Sequence, residues 1–129
     1  MSAGEIYNAN LPIYLQIMEQ VKHRIASGQW KAGDRVPSVR ELALEFGVNP
    51  NTVQRALFEL EREGILYSER TSGRFITGDA RRIEEMRAQM AGELMKGFIS
   101  RMEQLGYGKA RILEEVEQAL SLHQQILPQ

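Results

Sequence analysis

The chain has 129 residues, 43% of them hydrophobic and 26% charged, with a formal net charge of −1. That length fits one domain or a small domain with an extension, and the near-neutral balance argues for no particular partner. No cysteine is present, which excludes disulfides and thiol chemistry and fits a reducing compartment.

Charge is balanced on a finer scale too. Residues 1–78 carry nine Lys/Arg against nine Asp/Glu, and residues 79–129 carry seven against eight. Any affinity for nucleic acid must therefore rest on local placement. No apolar run approaches the roughly 20 residues that span a bilayer. The opening stretch "MSAGEIYNANLP" lacks the basic-then-apolar pattern of a signal peptide, so a cytoplasmic location with no membrane partner is expected.

From Pro12 to Ser27, the residues Tyr14, Ile17, Met18, Val21 and Ile25 recur at helical spacing, and Gly28 ends the run. The segment "GQWKAGDRVP" reads as a loop with room for one short strand. A second helix starts at "PSVRELALEFG", where Ser38 and Glu41 stand at capping-box spacing and Val39, Leu42, Ala43 and Phe46 form an inner face. Gly47 and Val48 make a tight turn into a third helix. There Asn49 suits the N-cap, Pro50 the first helical position and Gly64 the left-handed end. Beyond it, Ile65–Ser68 and Arg74–Thr77 flank a Thr-Ser-Gly tip and predict a hairpin. Three helices and a hairpin make a winged helix-turn-helix over residues 1–78.

Asp79 is a fair N-cap for a long helical pattern over residues 80–105. Ile83, Met86, Met90, Leu94, Phe98, Met102 and Leu105 form its stripe, widened by Ala91, Met95 and Ile99. "GYG" at 106–108 breaks the pattern, and Ile112, Leu113, Val116, Ala119, Leu120, Ile126 and Leu127 mark a last helix. The expected fold class is mainly α with a small β-wing, the winged helix-turn-helix being followed by a two-helix tail over residues 79–129.

The third helix carries the functional signal. Val53, Ala56, Leu57 and Leu60 cluster on its buried face, while Asn51, Arg55, Phe58 and Arg62 fall opposite, with Thr52 and Gln54 on the flanks. No acid lies between Phe46 and Phe58; Glu59, Glu61 and Glu63 come only toward the C-terminal end. A helix that enters the major groove by its N-terminus needs this polarity, since acids there would repel phosphates. Asn and Gln pair with adenine edges, Arg with guanine, and a Thr methyl with thymine. Arg40, in the first turn of the second helix and away from its apolar face, is suited to a phosphate. Arg70, Thr71, Ser72, Gly73 and Arg74 form a wing tip able to touch phosphate or the minor groove. An ordinary solvated face and an ordinary hairpin are the bland alternatives for these residues.

The segment "GDRVPSVRELALEFGVNPNTVQRALFELEREGIL" resembles the signature of GntR-family bacterial transcription regulators, a Pro-Ser-x-Arg-x-Leu-Ala core followed by helix-turn-helix and wing. The resemblance covers about residues 10–78, and the short two-helix tail resembles the YtrA-type subfamily, which lacks a large effector domain. It implies a dimeric winged-helix repressor that contacts DNA through Arg40, the start of the recognition helix (Asn49, Asn51, Thr52, Gln54 and Arg55) and the wing tip. The sequence departs from many relatives at Pro50, where they carry a basic or hydroxyl residue. It departs again at Gln54, where they carry Arg, and at Thr71, where the wing often has its first glycine.

A stripe of large apolar residues this long exceeds what a small winged domain can cover, and leaving it wet would be a solubility liability. Two chains exchanging these helices would bury it, with Ile83, Met86, Met90, Leu94, Met95, Phe98, Met102, Leu105, Ile112, Val116 and Leu120 at a dimer interface. The bland alternative is that the last helix folds back and hides the stripe within one chain. The methionines also leave room for an adaptable ligand pocket, so an effector is left open. Nothing points to an enzyme: His23 and His123 are far apart in sequence, and no nucleophile constellation, metal-ligand spacing or Gly-rich phosphate loop is found. No metal or other cofactor is implied. The expected function is that of a sequence-specific DNA-binding transcription regulator, a homodimeric repressor on a palindromic double-stranded operator. The rival is a winged-helix protein-interaction module without DNA binding.

Overall fold

A computed structural model describes residues 10–126. Most of the opening stretch used for the expectation about location, and Leu127 of the last helical pattern, lie outside the described residues. The elements run α1 (Ile13–Ala26), α2 (Val39–Phe46), α3 (Pro50–Arg62), β1 (Leu66–Glu69), β2 (Gly73–Ile76), α4 (Ala80–Gln104) and α5 (Lys109–Ile126).

Local chemistry explains the ends of α2 and α3. Ser38 Oγ accepts from the Glu41 backbone N–H at 3.1 Å and donates to the Glu41 carboxylate at 3.3 Å. The reciprocal half of the capping box thus reaches the hydroxyl instead of the backbone. Gly47 closes α2 in the left-handed conformation, φ 69°. Asn49 Oδ1 then accepts from the Asn51 N–H at 2.7 Å, and Pro50 occupies the first turn of α3.

The core of the winged unit lies where α1 and α2 meet α3. Ile17, Val21, Leu42, Val53, Ala56, Leu57, Leu60, Ile65 and Ile76 are completely enclosed. The wing pairs Leu66 with Ile76, Tyr67 with Phe75, Ser68 with Arg74 and Glu69 with Gly73. Both strands sit one residue from the expected spans. Ile65 is held back by its own N–H, which donates to the Leu60 carbonyl at the end of α3. The short strand expected before α2 is a single bridge, Arg35 to Phe75, flanked by bonds from the Val36 N–H to the Arg74 carbonyl and from the Ile76 N–H to the Asp34 carbonyl.

The start of α4 belongs to this same unit, since the chain divides into compact units between Arg87 and Ala88. Asp79 Oδ1 caps α4 by accepting from the Arg81 and Arg82 N–H groups. Arg82 Nε donates to the Glu63 carbonyl at 3.0 Å and Arg87 Nε to the Ala26 carbonyl at 3.1 Å. These cations meet carbonyls that the ends of α3 and α1 leave without helical partners, where the helix dipoles favour positive charge. Ile83 and Met86 are buried here.

The second unit holds the rest of α4 and α5. Gly106, φ 91°, ends α4, and the Tyr107 N–H returns to the Met102 carbonyl. Arg111 lies over the Tyr107 ring at 4.8 Å and donates to Glu115 at 2.8 Å, fixing the first turn of α5. Ile112 is buried, but Leu94 is 76% exposed, Leu105 71% and Leu120 56%. Folding back of the last helix therefore does not hide the stripe within one chain. The stripe itself is divided: Ile83 and Met86 are enclosed by the winged unit, whereas Leu94, Met95, Phe98, Ile99 and Leu105 remain open.

Candidate nucleic-acid interface

The helix α3 has two faces with different tasks. Val53, Ala56, Leu57 and Leu60 are fully buried, while Asn51, Gln54, Arg55 and Phe58 are exposed and Thr52 is half-buried. The acids of its C-terminal half are each engaged by a cation of the same chain. Glu59 pairs with Arg62 at 3.3 Å, Glu63 with Lys22 at 2.8 Å, and Glu61 with Arg74 at 2.9 Å. The N-terminal half thus presents hydrogen-bonding groups without acids, and the negative charge of the other half is largely offset locally.

The expected contact residues differ in how free they are. Arg40, in the first turn of α2, is exposed and forms no ion pair among the described residues. Arg70, Thr71, Ser72 and Gly73 are exposed at the wing tip. Asn49 is exposed, but its Oδ1 is committed to the cap, which leaves its NH2 as the free end. Arg55 lies 3.8 Å from the centroid of the Tyr14 ring, so a cation–π contact with α1 sets its direction. Arg74 is half-buried and turned back to the protein, because residues 74 and 76 share the inner face of the wing. Its partner Glu61 also accepts from Ser68 Oγ, which ties both strands to α3.

Two participants stand outside the expected set. Tyr14 reads as a core residue from its spacing, yet it is half-buried and supports Arg55. Arg35 stands two residues before the Pro37-Ser38 start of α2 and lines a shallow groove with Pro37, Ser38, Glu41 and Gly73. Its place beside that motif is the one signal in the sequence that could have singled it out.

Residues 13–76 match the family described as bacterial regulatory proteins, gntR family. The chain is 44% identical over 92 residues to the HTH-type transcriptional repressor YtrA of Bacillus subtilis, covering 70% of this chain and 71% of YtrA. A GntR family transcriptional regulator from Listeria monocytogenes superposes with a TM-score of 0.80 at 42% identity, covering 87% of this chain and 98% of that one. The DNA-binding domain of AraR, solved with its operator ORX1, superposes with a TM-score of 0.50 at 33% identity, over 52% of this chain and 81% of that one. These relatives are regulators and not enzymes. With its helix-turn-helix, its wing and its short helical tail all matched, the chain belongs to the GntR family of bacterial regulatory proteins, in the YtrA-type branch.

Proposed function

We propose that the chain is a sequence-specific DNA-binding repressor, working in the cytoplasm as a homodimer on a palindromic operator. The observation that carries the reading is the exposed, acid-free first half of α3, with Arg40, exposed and without an ion pair among the described residues, in the first turn of the helix before it. Asn51, Thr52, Gln54 and Arg55 read base edges, and Arg40 with the wing tip holds phosphates and fixes register. The repressor YtrA and the operator-bound AraR domain support the same assignment.

Residues 79–129 serve as the dimerisation tail. Leu94, Met95, Phe98, Ile99, Leu105 and Leu120 are exposed apolar residues on two helices, and a second copy offers the same stripe in return. Burying each large side chain contributes roughly 1.5–3 kcal/mol, so a handful suffices to hold two chains together. Joining two reading units makes the second half-site contact intramolecular. Two-fold symmetry then requires a palindrome whose half-site spacing follows the geometry of the tail.

Selection of duplexes from a random pool with the full chain, beside sedimentation of the chain alone, tests this. A palindromic consensus and a dimer are expected. A monomer that binds one half-site tightly would remove the dimer, and failure to enrich any sequence would favour the protein-interaction module.

A further inference from the structure

Three segments meet at the wing, and their pairing sorts the side chains. Arg35 pairs with Phe75, and Phe75 with Tyr67, whose rings stack at 5.7 Å. Alternation along the strands therefore puts Arg35, Tyr67, Gly73 and Phe75 on the outer face, while Leu66, Ser68, Arg74 and Ile76 face inward. The Arg35 side chain runs along that outer face toward the tip. A Cβ on Gly73 would stand 3.2 Å from its Nε, 3.3 Å from Nη2 and 3.6 Å from Cζ. The guanidinium thus lies close to the backbone of Gly73, next to Ser72 of the tip, and the positive φ of 106° favours glycine there.

The other arginines of the winged unit mostly have tasks inside the protein. Arg24 pairs with Glu45, Arg62 with Glu59 and Arg74 with Glu61. Arg55 rests on Tyr14, Arg82 donates to the Glu63 carbonyl, and Arg87 donates to the Ala26 carbonyl. Arg35 is exposed and has no acid partner among the described residues. Glu69 pairs with Gly73 across the ladder but forms no ion pair with Arg35 among the described residues, and the Glu41 carboxylate in the same groove accepts from Ser38. A planar fork of donors thus lies at the base of the tip with no anionic partner among the described residues.

We propose that Arg35 is a further DNA contact, binding a backbone phosphate beside the groove that the wing tip enters. This rests on the DNA-binding reading above. Arg40, Arg70 and Arg81 are likewise exposed without a side-chain partner among the described residues, but Arg35 is the one that lies against the backbone of Gly73 at the wing. A phosphate contact adds affinity and salt dependence without adding base preference.

The test uses the full chain and a duplex enriched by selection, titrated at several salt concentrations, with melting curves for each variant. Arg35→Ala is expected to bind roughly tenfold more weakly near 0.15 M salt and to lower the slope of log K against log salt by about one unit per chain. Its operator preference and melting curve should match wild type. Arg35→Lys should keep the slope, since a phosphate accepts a point charge, and Arg35→Glu should bind more weakly than Arg35→Ala. If Arg35→Ala matches wild type in affinity and slope, the contact does not exist. A changed base preference, or an Arg35→Lys variant as weak as Arg35→Ala, would show base or groove reading and overturn the phosphate assignment. A wild-type chain that binds no duplex would fail the DNA reading itself, a result distinct from both.

Discussion

In the winged unit, Ile17, Leu42, Leu57, Leu60, Ile65 and Ile76 are enclosed by their own chain, whereas from Ala88 onward Ile112 is the one buried large residue among those described. The first unit has apolar residues enough to close a core, although Leu44 and Phe58 stay exposed. The second has helices with apolar stripes and no core to put them in. Amphipathic helices draw most of their stability from packing such a face, and the first unit encloses its apolar face while the second leaves much of its own exposed. The two units also differ in the kind of surface they expose: hydrogen-bonding groups on α3, suited to a ligand of definite pattern, and bare hydrocarbon on α4, suited to a copy of itself.

The largest expected effect would break the second half of this comparison. Leu94→Glu with Phe98→Glu should turn the dimer into a monomer by sedimentation and weaken operator binding by roughly 10²–10⁴. The melting of the winged unit should be retained. A variant that stays dimeric would show that the open stripe is not the interface.

Next comes the contrast in burial. Leu57→Ala, at a fully enclosed position, is expected to cost about 2–5 kcal/mol in denaturant unfolding. Leu94→Ala, at a largely exposed one, should be nearly silent in unfolding while loosening the dimer. Equal costs would erase the distinction.

The two surfaces should also differ in what they change about binding. Asn51→Ala is expected to relax preference at particular base pairs by roughly 1–3 kcal/mol, read by repeating the selection. Tail substitutions should weaken every duplex alike. Unaltered operators for the Asn51 variant would mean that this face does not read bases. Arg40→Ala, the smallest effect, should weaken all duplexes evenly and lower the salt slope by about one unit per chain. An unchanged slope with altered preference would move Arg40 from positioning to reading.

What the sequence made legible was local. Ser38, Asn49, Pro50 and Gly47 act within a few residues of themselves, so their roles as caps and turns followed from residue type and spacing. The buried stripe of α3 followed from periodicity in the same way. What escaped was set by distant partners. Arg74 meets Glu61, 13 residues back, and Arg55 meets Tyr14 on another helix. Nothing in a one-dimensional pattern says which cation an acid will hold. The division of the α4 stripe escaped for a related reason: Ile83 and Met86 look like Leu94 and Phe98 in periodicity, and the winged unit alone distinguishes them. The hairpin shifted by one residue because a strand boundary depends on where the preceding helix lets go.

Glu61 stands in the last turn of α3 and holds Ser68 and Arg74, one from each strand of the wing. Asn51 and Gln54 stand at the other end of the same helix and touch no such fastening. On the proposed DNA-binding reading, substitutions at positions 51 and 54 are expected to change base preference without loosening that fastening. The attachment of the wing to α3 through Glu61 is untouched by such changes. On that reading, a change of target and a loss of the wing's anchorage are expected to arise from different substitutions.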